Sequence, residues 1–338
     1  MKKHPNLRRP LAVLAALALG STVLLGVAPG AQAAPVQGQF LVETDFGVSG
    51  APGCSLTSDT SDTFQTSFTA NGAAKSASFS SVATVEDAGD AADDTSMTAK
   101  ASGRVRATQV GGSLDTLTLT ATLSARVDAA QGSGSDCDSD AEARSGFESY
   151  FTLAESGWVR LRGVTRGGAM ELQLASAFMG QGGIVASYNI KAEQTRRFFL
   201  SAGTYVLYGV FAAQMDTPDA VGEPTSMVGG GSLNVGFTPA GDATGPAAGG
   251  GKAFVKYDGA LSCGARSLSG RFTNKAAKVK TATFFVNGKR AKVVRRPGRG
   301  ADVVLRGLPV GSDVTVKAVL KLKQGGAKSV TRSYASCS

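Results

Sequence analysis

Residues 95–127 alternate between small or apolar side chains and polar ones with a period of two. The polar positions hold mainly threonine, serine, lysine and arginine, and Gly111-Gly112 interrupts the alternation. Because successive side chains of a β-strand point to opposite faces of the sheet, the pattern predicts two strands with one buried face. The glycine pair predicts the turn that joins them into a hairpin. The positions predicted to be buried are Met97, Ala99, Ala101, Gly103, Val105, Ala107, Leu117, Leu119, Ala121, Leu123, Ala125 and Val127.

The polar face of the second strand carries a row of four threonine hydroxyls. Threonine is a common residue on solvated strand faces because its β-branched side chain fits the pleated surface. We interpret the row as an ordinary solvated face, and a flat ligand-binding surface is the alternative. The row consists of Thr116, Thr118, Thr120 and Thr122.

Two later segments, residues 151–164 and 198–210, repeat one pattern of Phe-x-Leu, a glycine and a strand that ends in valine. Each copy predicts a strand, a glycine turn and a second strand. The second copy, Phe-x-Leu-x-x-Gly-Thr-Tyr-x-Leu over residues 198–207, resembles the β-sandwich modules appended to many secreted bacterial proteins. Several of those modules bind carbohydrate. No long helical pattern appears after residue 33, so the sequence predicts an all-β fold.

A second hairpin is predicted near the end of the chain. Val279–Val286 and Lys289–Val294 flank Asn287-Gly288, and Asn-Gly favours a two-residue hairpin turn because both residues tolerate positive φ. In the register that such a loop sets, Phe284 lies opposite Ala291. The same register places Ala282 opposite Val293, Phe285 opposite Arg290 and Thr283 opposite Lys292. Further alternation over residues 314–323 and a last strand ending at Cys337 predict an immunoglobulin-like sandwich of about seven strands.

Three segments of this region carry a family resemblance. Val279–Lys289, Leu305–Pro309 and Val314–Val319 resemble the bacterial immunoglobulin-like modules of secreted actinobacterial proteins. The resemblance covers most of residues 253–337 and implies a non-catalytic spacer or adhesion module at a cell envelope. This region lacks the tryptophan that antibody-type domains pack against their disulfide, and Cys337 lies at its very end.

Residues 239–252 contain two prolines and end near three consecutive glycines, which predicts a flexible Gly/Pro/Ala linker. We therefore expect a first body, residues 34–238, and a second body, residues 253–338, both β-sandwiches. Net charge changes sign across the linker. Residues 34–251 hold 12 Lys/Arg and 23 Asp/Glu, a net charge of −11, whereas residues 252–338 hold 19 and 3, a net charge of +16.

Residues 1–33 predict a secretory signal peptide. A basic start is followed by the apolar run Leu11–Val27 and by the small-x-small cleavage site Ala31-Gln32-Ala33. A retained membrane anchor is the alternative, and Arg8-Arg9 leaves the export route open. We expect the mature chain to be secreted or held non-covalently at the cell surface, with no membrane span after cleavage.

Four cysteines remain in the mature chain, which agrees with an oxidising compartment. Four cysteines allow three pairings. Because each predicted body holds two of them, we predict Cys54–Cys137 and Cys263–Cys337.

Histidine-dependent chemistry is excluded from the mature chain, because the single histidine, His4, belongs to the predicted signal peptide. Ser-His-Asp catalysis, Cys-His catalysis and histidine zinc sites are therefore ruled out. Paired carboxylates need no histidine, so a glycosidase that uses Glu148, Glu155 or Glu171 stays an alternative. We expect a non-enzymatic protein without a cofactor.

Candidate binding residues fall into three groups. The alternating carboxylates Asp136, Asp138, Asp140 and Glu142 suggest a calcium loop, against a plain solvated acidic loop. Trp158 and Tyr208 are candidate sugar-stacking residues, although packing within the sheet is the more common role of such a tryptophan. The candidate polyanion-binding residues are Lys317, Lys321, Lys323, Arg290 and Lys292.

These features predict a secreted binding or cell-surface protein. We expect its first body to engage an unknown ligand, for which carbohydrate is the proposed class, and its basic body to attach to an anionic envelope polymer or polysaccharide. Nucleic acid is not expected, because no aromatic residues interleave the basic positions. The alternatives are a glycan-active enzyme that uses paired carboxylates with a basic anchoring module, or a structural spacer without a ligand.

Overall fold

The computed structural model describes residues 36–50, 53–87, 94–128, 137–177, 183–217 and 225–338. The predicted signal peptide and Asp136 lie outside these ranges. Within them no helix is both long and apolar enough to cross a membrane. The helices described there are two short 3-10 turns, Gly250–Ala253 and Asn274–Lys278. The remaining regular structure is antiparallel strand, so the all-β prediction is confirmed.

The first body contains thirteen described strands in two sheets that pack face to face. Their bounds are β1 Gln37–Gly50, β2 Cys54–Thr57, β3 Asp62–Thr69, β4 Asn71–Asp87, β5 Thr95–Val110, β6 Ser113–Asp128, β7 Cys137–Leu153, β8 Gly157–Thr165, β9 Ala169–Ser176, β10 Ile184–Ile190, β11 Gln194–Leu200, β12 Gly203–Asp216 and β13 Ser226–Pro239. A six-stranded sheet has the order β10-β9-β12-β7-β1-β3, and a seven-stranded sheet has the order β11-β8-β13-β6-β5-β4-β2. Each sheet has one outward face.

The predicted hairpin forms β5 and β6. All of the positions predicted to be buried are buried. Gly103 has an additional role, because the absence of a side chain there lets the two sheets approach closely. A Cβ atom at Gly103 would collide with Ser145 Oγ of the opposite sheet and crowd Phe40 and Val42. The Ser145 hydroxyl is buried without a hydrogen-bond partner. Close sheet contact here depends on two small side chains.

The core of the first body lies between its sheets and includes Phe40, Phe147, Phe151 and Phe211, all nearly inaccessible to solvent. A smaller cluster around Met97 and Val127 lies beside the Cys54–Cys137 disulfide. The second disulfide joins Cys263 to Cys337. Both predicted pairings are confirmed.

The second body has seven strands, as predicted. Their bounds are β14 Val255–Tyr257, β15 Ser267–Phe272, β16 Val279–Val286, β17 Lys289–Arg295, β18 Asp302–Arg306, β19 Val314–Leu322 and β20 Ala327–Tyr334. A three-stranded sheet, β14-β15-β18, packs on a four-stranded sheet, β17-β16-β19-β20. This is the arrangement of an immunoglobulin-like sandwich. Its core includes Phe272 and Phe284, whose rings meet edge to face at 6.1 Å.

The predicted register of the β16–β17 hairpin is right only beside its turn. Phe285 pairs with Arg290 as expected, but an irregularity at Ala291 shifts the remaining pairs by one residue. Phe284 therefore lies opposite Lys292, whereas the prediction gave Ala291. The shift has a local cause, because a β-bulge places two residues of one strand against one residue of the other. The other shifted pairs are Ala282 with Val294 and Thr283 with Val293.

Residues 239–252 differ from the expectation of a flexible linker. Ala243 and Ala248 form bridges with Tyr334 and Thr331 of β20, and Thr244 N–H donates to Ser333 O at 2.9 Å. The glycines serve close packing here. Gly249 has a φ of 100°, and a Cβ atom at this position would collide with Ser329 O. The segment therefore continues the second body as an additional edge. The domain boundaries themselves stay a prediction.

Candidate binding surfaces

The outward face of the six-stranded sheet carries a row of polar and aromatic side chains across four strands. Gln39 of β1 pairs with Glu148 of β7, which pairs with Tyr208 of β12, which pairs with Gln173 of β9. Tyr150, one row further, is 40% exposed and donates a 2.7 Å hydrogen bond to Glu148 Oε1. Burial, together with Glu148, raises the pKa of Tyr150 to about 12. We call these five residues the tyrosine face.

Tyr208 is the predicted ligand residue that lies on this face. Burial raises the pKa of its hydroxyl well above the ordinary value, and the nearby carboxylates Glu171 and Glu148 raise it further. The ring is therefore a neutral hydrogen-bonding group at any physiological pH. The sequence analysis did not identify Gln39, Tyr150 and Gln173. They could be grouped with Tyr208 only once the strand register shows that all four point to the same face of the sheet.

The three carboxylates considered for a glycosidase are not equivalent. Glu148 and Glu171 both lie near Tyr208, but β12 separates their strands and Glu171 pairs with Val210, one row further, so their backbones are about 12 Å apart. Glu155 is exposed in the turn between β7 and β8. The first two share one sheet face, and the third lies outside it.

The acidic residues predicted to form a calcium loop lie instead on strand β7. Asp138, Asp140 and Glu142 alternate along its outward face, because successive residues of an extended strand point to opposite sides. Within the described ranges, no group of three or more potential ligands is arranged to hold a metal. The Arg144 guanidinium donates two hydrogen bonds to the Glu142 carboxylate. Burial raises the pKa of Glu142, and the neighbouring carboxylates Asp140 and Glu43 also raise it, whereas Arg144 lowers it. The loop geometry that the prediction required is absent from this described strand.

Trp158 contacts the second body. Its indole N–H donates to Ser336 O at 2.9 Å, and the Arg197 guanidinium lies 4.2 Å from the ring centroid. Arg197 donates two hydrogen bonds to Asp313, at 2.6 and 2.9 Å, and Asp313 accepts a third from Ser336 N–H at 3.0 Å. We call Trp158, Arg197, Asp313 and Ser336 the interface cluster. Trp158 therefore has a packing role between the two bodies and lies outside the tyrosine face.

The interface cluster gives a prediction for acid pH. Arg197 holds the pKa of Asp313 below its ordinary value of 3.8, and the Ser336 N–H adds to this effect. Because the folded-state pKa is lowered, the stabilisation is complete above pH 3.8 and is lost as pH falls through the folded-state pKa. Asp313 is 48% exposed, so the effect on global stability should be small. We expect acid to weaken the Arg197–Asp313 contact more than it lowers the global stability.

The chain's single tryptophan is the reporter for this test. We expect Trp158 emission to shift to longer wavelength and become more sensitive to iodide below about pH 4, without global unfolding. The same shift is expected at pH 7 in Asp313→Asn and Arg197→Ala. Arg162→Ala, which removes an exposed surface pair with Glu193, is the matched control. Identical emission in all of these samples would contradict the assignment.

The five candidate basic residues of the second body separate into two groups. Lys317 and Lys321 lie on the outward face of the four-stranded sheet, and Arg290 joins them across β16. Lys323 is exposed just beyond the end of β19. Lys292 lies elsewhere, because the register shift turns it toward the other sheet, where its ammonium donates to Val304 O at 3.1 Å. Arg295, which sequence analysis missed, replaces Lys292 on the face.

No protein-family model and no curated protein match the chain. Among solved structures, a GH2 beta-galacturonidase from Eisenbergiella tayi bound to galacturonate is 13% identical with a TM-score of 0.18, and the match covers 56% of this chain and 35% of that chain. A beta-glucuronidase from an uncultured Clostridium sp. is 9% identical with a TM-score of 0.18, over 55% and 34% of the two chains. The chain thus spans about a third of their length, and such similarities carry no argument about function.

Proposed function

We propose that this protein is a secreted, non-enzymatic binding or cell-surface protein. Its second body attaches to an anionic polymer of the cell envelope, and its first body engages a carbohydrate ligand. The observation that carries the proposal is the basic face of the second body, formed by Arg290, Arg295, Lys317 and Lys321 on one sheet. The three carboxylates of residues 253–338 lie elsewhere, and two of them, Asp302 and Asp313, pair with arginines off this face.

The chemistry of the basic face suits a flexible polyanion. Phe285, Thr283 and Val319 lie between the cations, so the centre of the face is weakly polar and its rim is positive. Exposed cations without carboxylate partners attract the repeated negative charges of a polymer, and this attraction weakens as the salt concentration rises. Envelope polymers with repeated phosphate or carboxylate groups meet this requirement.

The tyrosine face supports the second half of the proposal. Tyr150 and Tyr208 present aromatic rings beside carboxamide and carboxylate side chains, a combination that offers apolar ring contact and hydrogen bonds to hydroxyl groups. The face is open and spans four strands, which suits an extended sugar chain. An enzyme remains the second candidate because Glu148 and Glu171 lie on either side of Tyr208.

Retention on purified cell wall tests the basic face. We expect the variant Arg290→Gln/Lys317→Gln/Lys321→Gln to bind at least about tenfold more weakly at low salt and to show a shallower dependence on salt concentration. The matched control is Lys256→Gln/Lys275→Gln/Arg306→Gln, which removes the same charge from other exposed positions of the second body. Equal loss in both variants would mean that net charge alone acts. Retention that is insensitive to salt would contradict electrostatic attachment.

The same incubation separates binding from turnover. Release of soluble sugar from wall or glycan by the mature protein, lost in Glu148→Gln or Glu171→Gln, would favour the enzyme. Retention without release supports the proposal, and neither retention nor release indicates a spacer.

A further inference from the structure

A second cationic surface lies on the first body, on the outward face of its seven-stranded sheet. Arg104 and Arg106 project from β5, and Arg160 and Arg162 project from β8, all of them exposed. This face is positive although residues 34–251 carry a net charge of −11. Many of the carboxylates of the first body lie on the six-stranded sheet. The negative charge is therefore concentrated on that sheet, whereas the outward face of the seven-stranded sheet carries the arginines.

The strand register sets the spacing of these arginines. Arg106 pairs with Thr118 of β6, Thr118 pairs with Asn234 of β13, and Asn234 pairs with Arg162. The two arginine columns are three strand spacings apart, about 14 Å. Each neighbouring row holds one of these arginines: Arg104 lies in the row that ends at Val164 of β8, and Arg160 lies in the row that ends at Thr108 of β5, on the other side of the Arg106–Arg162 row. The columns run parallel along the strands.

Short side chains form the floor between the columns. Threonine, serine, asparagine and glycine occupy the outward positions of β6 and β13, so the long arginine side chains stand above them as walls. Next to this floor lies a depression of about 450 Å³ that Arg104 and hydroxyl side chains of β4, β5 and β6 line. We call the whole feature the arginine trough. Its floor residues are Thr116, Thr118, Thr120, Ser232, Asn234 and Gly236.

The charge of the trough is largely uncompensated. Within the described residues, Arg104, Arg106 and Arg160 have no carboxylate within ion-pair distance, and Arg162 has only an exposed pair with Glu193. Arg160 also lies directly opposite Arg197 on β11, a like-charge pair that destabilises a sheet unless an anion neutralises it. Asp313 neutralises Arg197. An external anion is the natural partner of the remaining arginines.

We propose that the arginine trough binds an extended acidic polysaccharide. Each guanidinium presents a planar fork that matches a carboxylate with two hydrogen bonds. The hydroxyl and amide groups of the floor can donate to and accept from sugar hydroxyls. The trough residues named above include no aromatic side chain on which nucleic-acid bases stack, which favours a sugar polymer. This surface goes beyond the proposed function, since it lies on the other sheet of the first body from the tyrosine face and does not depend on the basic face of the second body.

Binding of alginate, a linear polyuronate, to the mature full-length chain tests the proposal. We expect Arg104→Gln/Arg106→Gln/Arg160→Gln to weaken binding at least about tenfold at low salt and to flatten the salt dependence. Lys75→Gln/Arg166→Gln/Lys191→Gln removes the same charge from exposed positions outside the trough and should bind like wild type. Because every substituted side chain is exposed, we expect all variants to have the thermal midpoint of the wild type. Equal midpoints would show that the variants are folded.

The floor gives a second, independent measurement. Thr118→Val/Asn234→Leu should weaken alginate binding about tenfold but leave binding of polyacrylate, a polycarboxylate without hydroxyl groups, unchanged. Equal effects on both polymers, tighter binding to duplex DNA than to alginate, or unchanged alginate affinity in the arginine variant would each overturn the proposal. Variants of the basic face are made separately, so failure of the proposed attachment of the second body is distinguishable from failure here.

Discussion

Replacing Gly103 with valine is expected to destabilise the first body by about 3 kcal/mol, because the new side chain has to enter a closely packed space between two sheets. Its first carbon alone collides with Ser145 Oγ and crowds Val42 and Phe40, all of which are buried. Urea denaturation followed by far-ultraviolet circular dichroism measures the loss. Ser102→Val, one residue away on the outward face, is the matched control and should change stability by less than about 0.5 kcal/mol.

A rescue experiment identifies the colliding group. Gly103→Ala should also destabilise, and Ser145→Gly should recover a large part of that loss in the double variant, because the two side chains compete for one space. Ser145→Ala alone should be neutral or slightly stabilising, since the hydroxyl is buried without a partner. Strictly additive effects of Gly103→Ala and Ser145→Gly would contradict direct contact between the sheets at this point.

Removing the Cys263–Cys337 disulfide is expected to cost the second body about 4 kcal/mol, because the bond closes a loop of 74 residues in sequence separation. The bond also holds the end of the chain next to Ser336, which contacts both Trp158 and Asp313. Cys263→Ala/Cys337→Ala should therefore shift Trp158 emission toward that of the solvent-exposed indole while the protein is still folded.

The first disulfide supplies the control for that experiment. Cys54–Cys137 spans 83 residues and lies beside a separate core cluster around Met97 and Val127. Cys54→Ala/Cys137→Ala should lose comparable stability but leave Trp158 emission unchanged in the folded state. Unaltered emission after loss of Cys263–Cys337 would refute the link between that disulfide and the interface cluster.

Local patterns were sufficient to predict several of the strands, but not the start of β7, where a loop was expected. The period-two alternation over β5 and β6 and the Asn287-Gly288 turn each report a backbone conformation that neighbouring residues determine. The cysteine pairing followed from the expectation that each body holds its own bond. Burial on one face of a strand is a local property, so it can be read from one sequence.

Features that depend on distant partners could not be predicted. The glycines of residues 249–251 look like a flexible tether, but their role depends on close approach to Ser329, far along the chain. Arg197 and Asp313 are 116 residues apart, and nothing local marks them as partners. The same limit applies to the arginine trough, whose two walls come from β5 and β8 and are brought together only by the order of the strands.

That order of strands also determines how the first body has to fold. Gln37 of β1 pairs with Tyr150 of β7, and Gly236 of β13 pairs with Thr116 of β6, so each sheet closes only after a segment more than a hundred residues away has arrived. Topologies dominated by such non-local pairing fold slowly, because the entropy of loop closure is lost before the contacts form. During that interval the unpaired edges of 16- and 17-residue strands are open to association with other chains. Production of this protein should therefore depend on conditions that keep the unfolded chain dilute or protected until β13 is available.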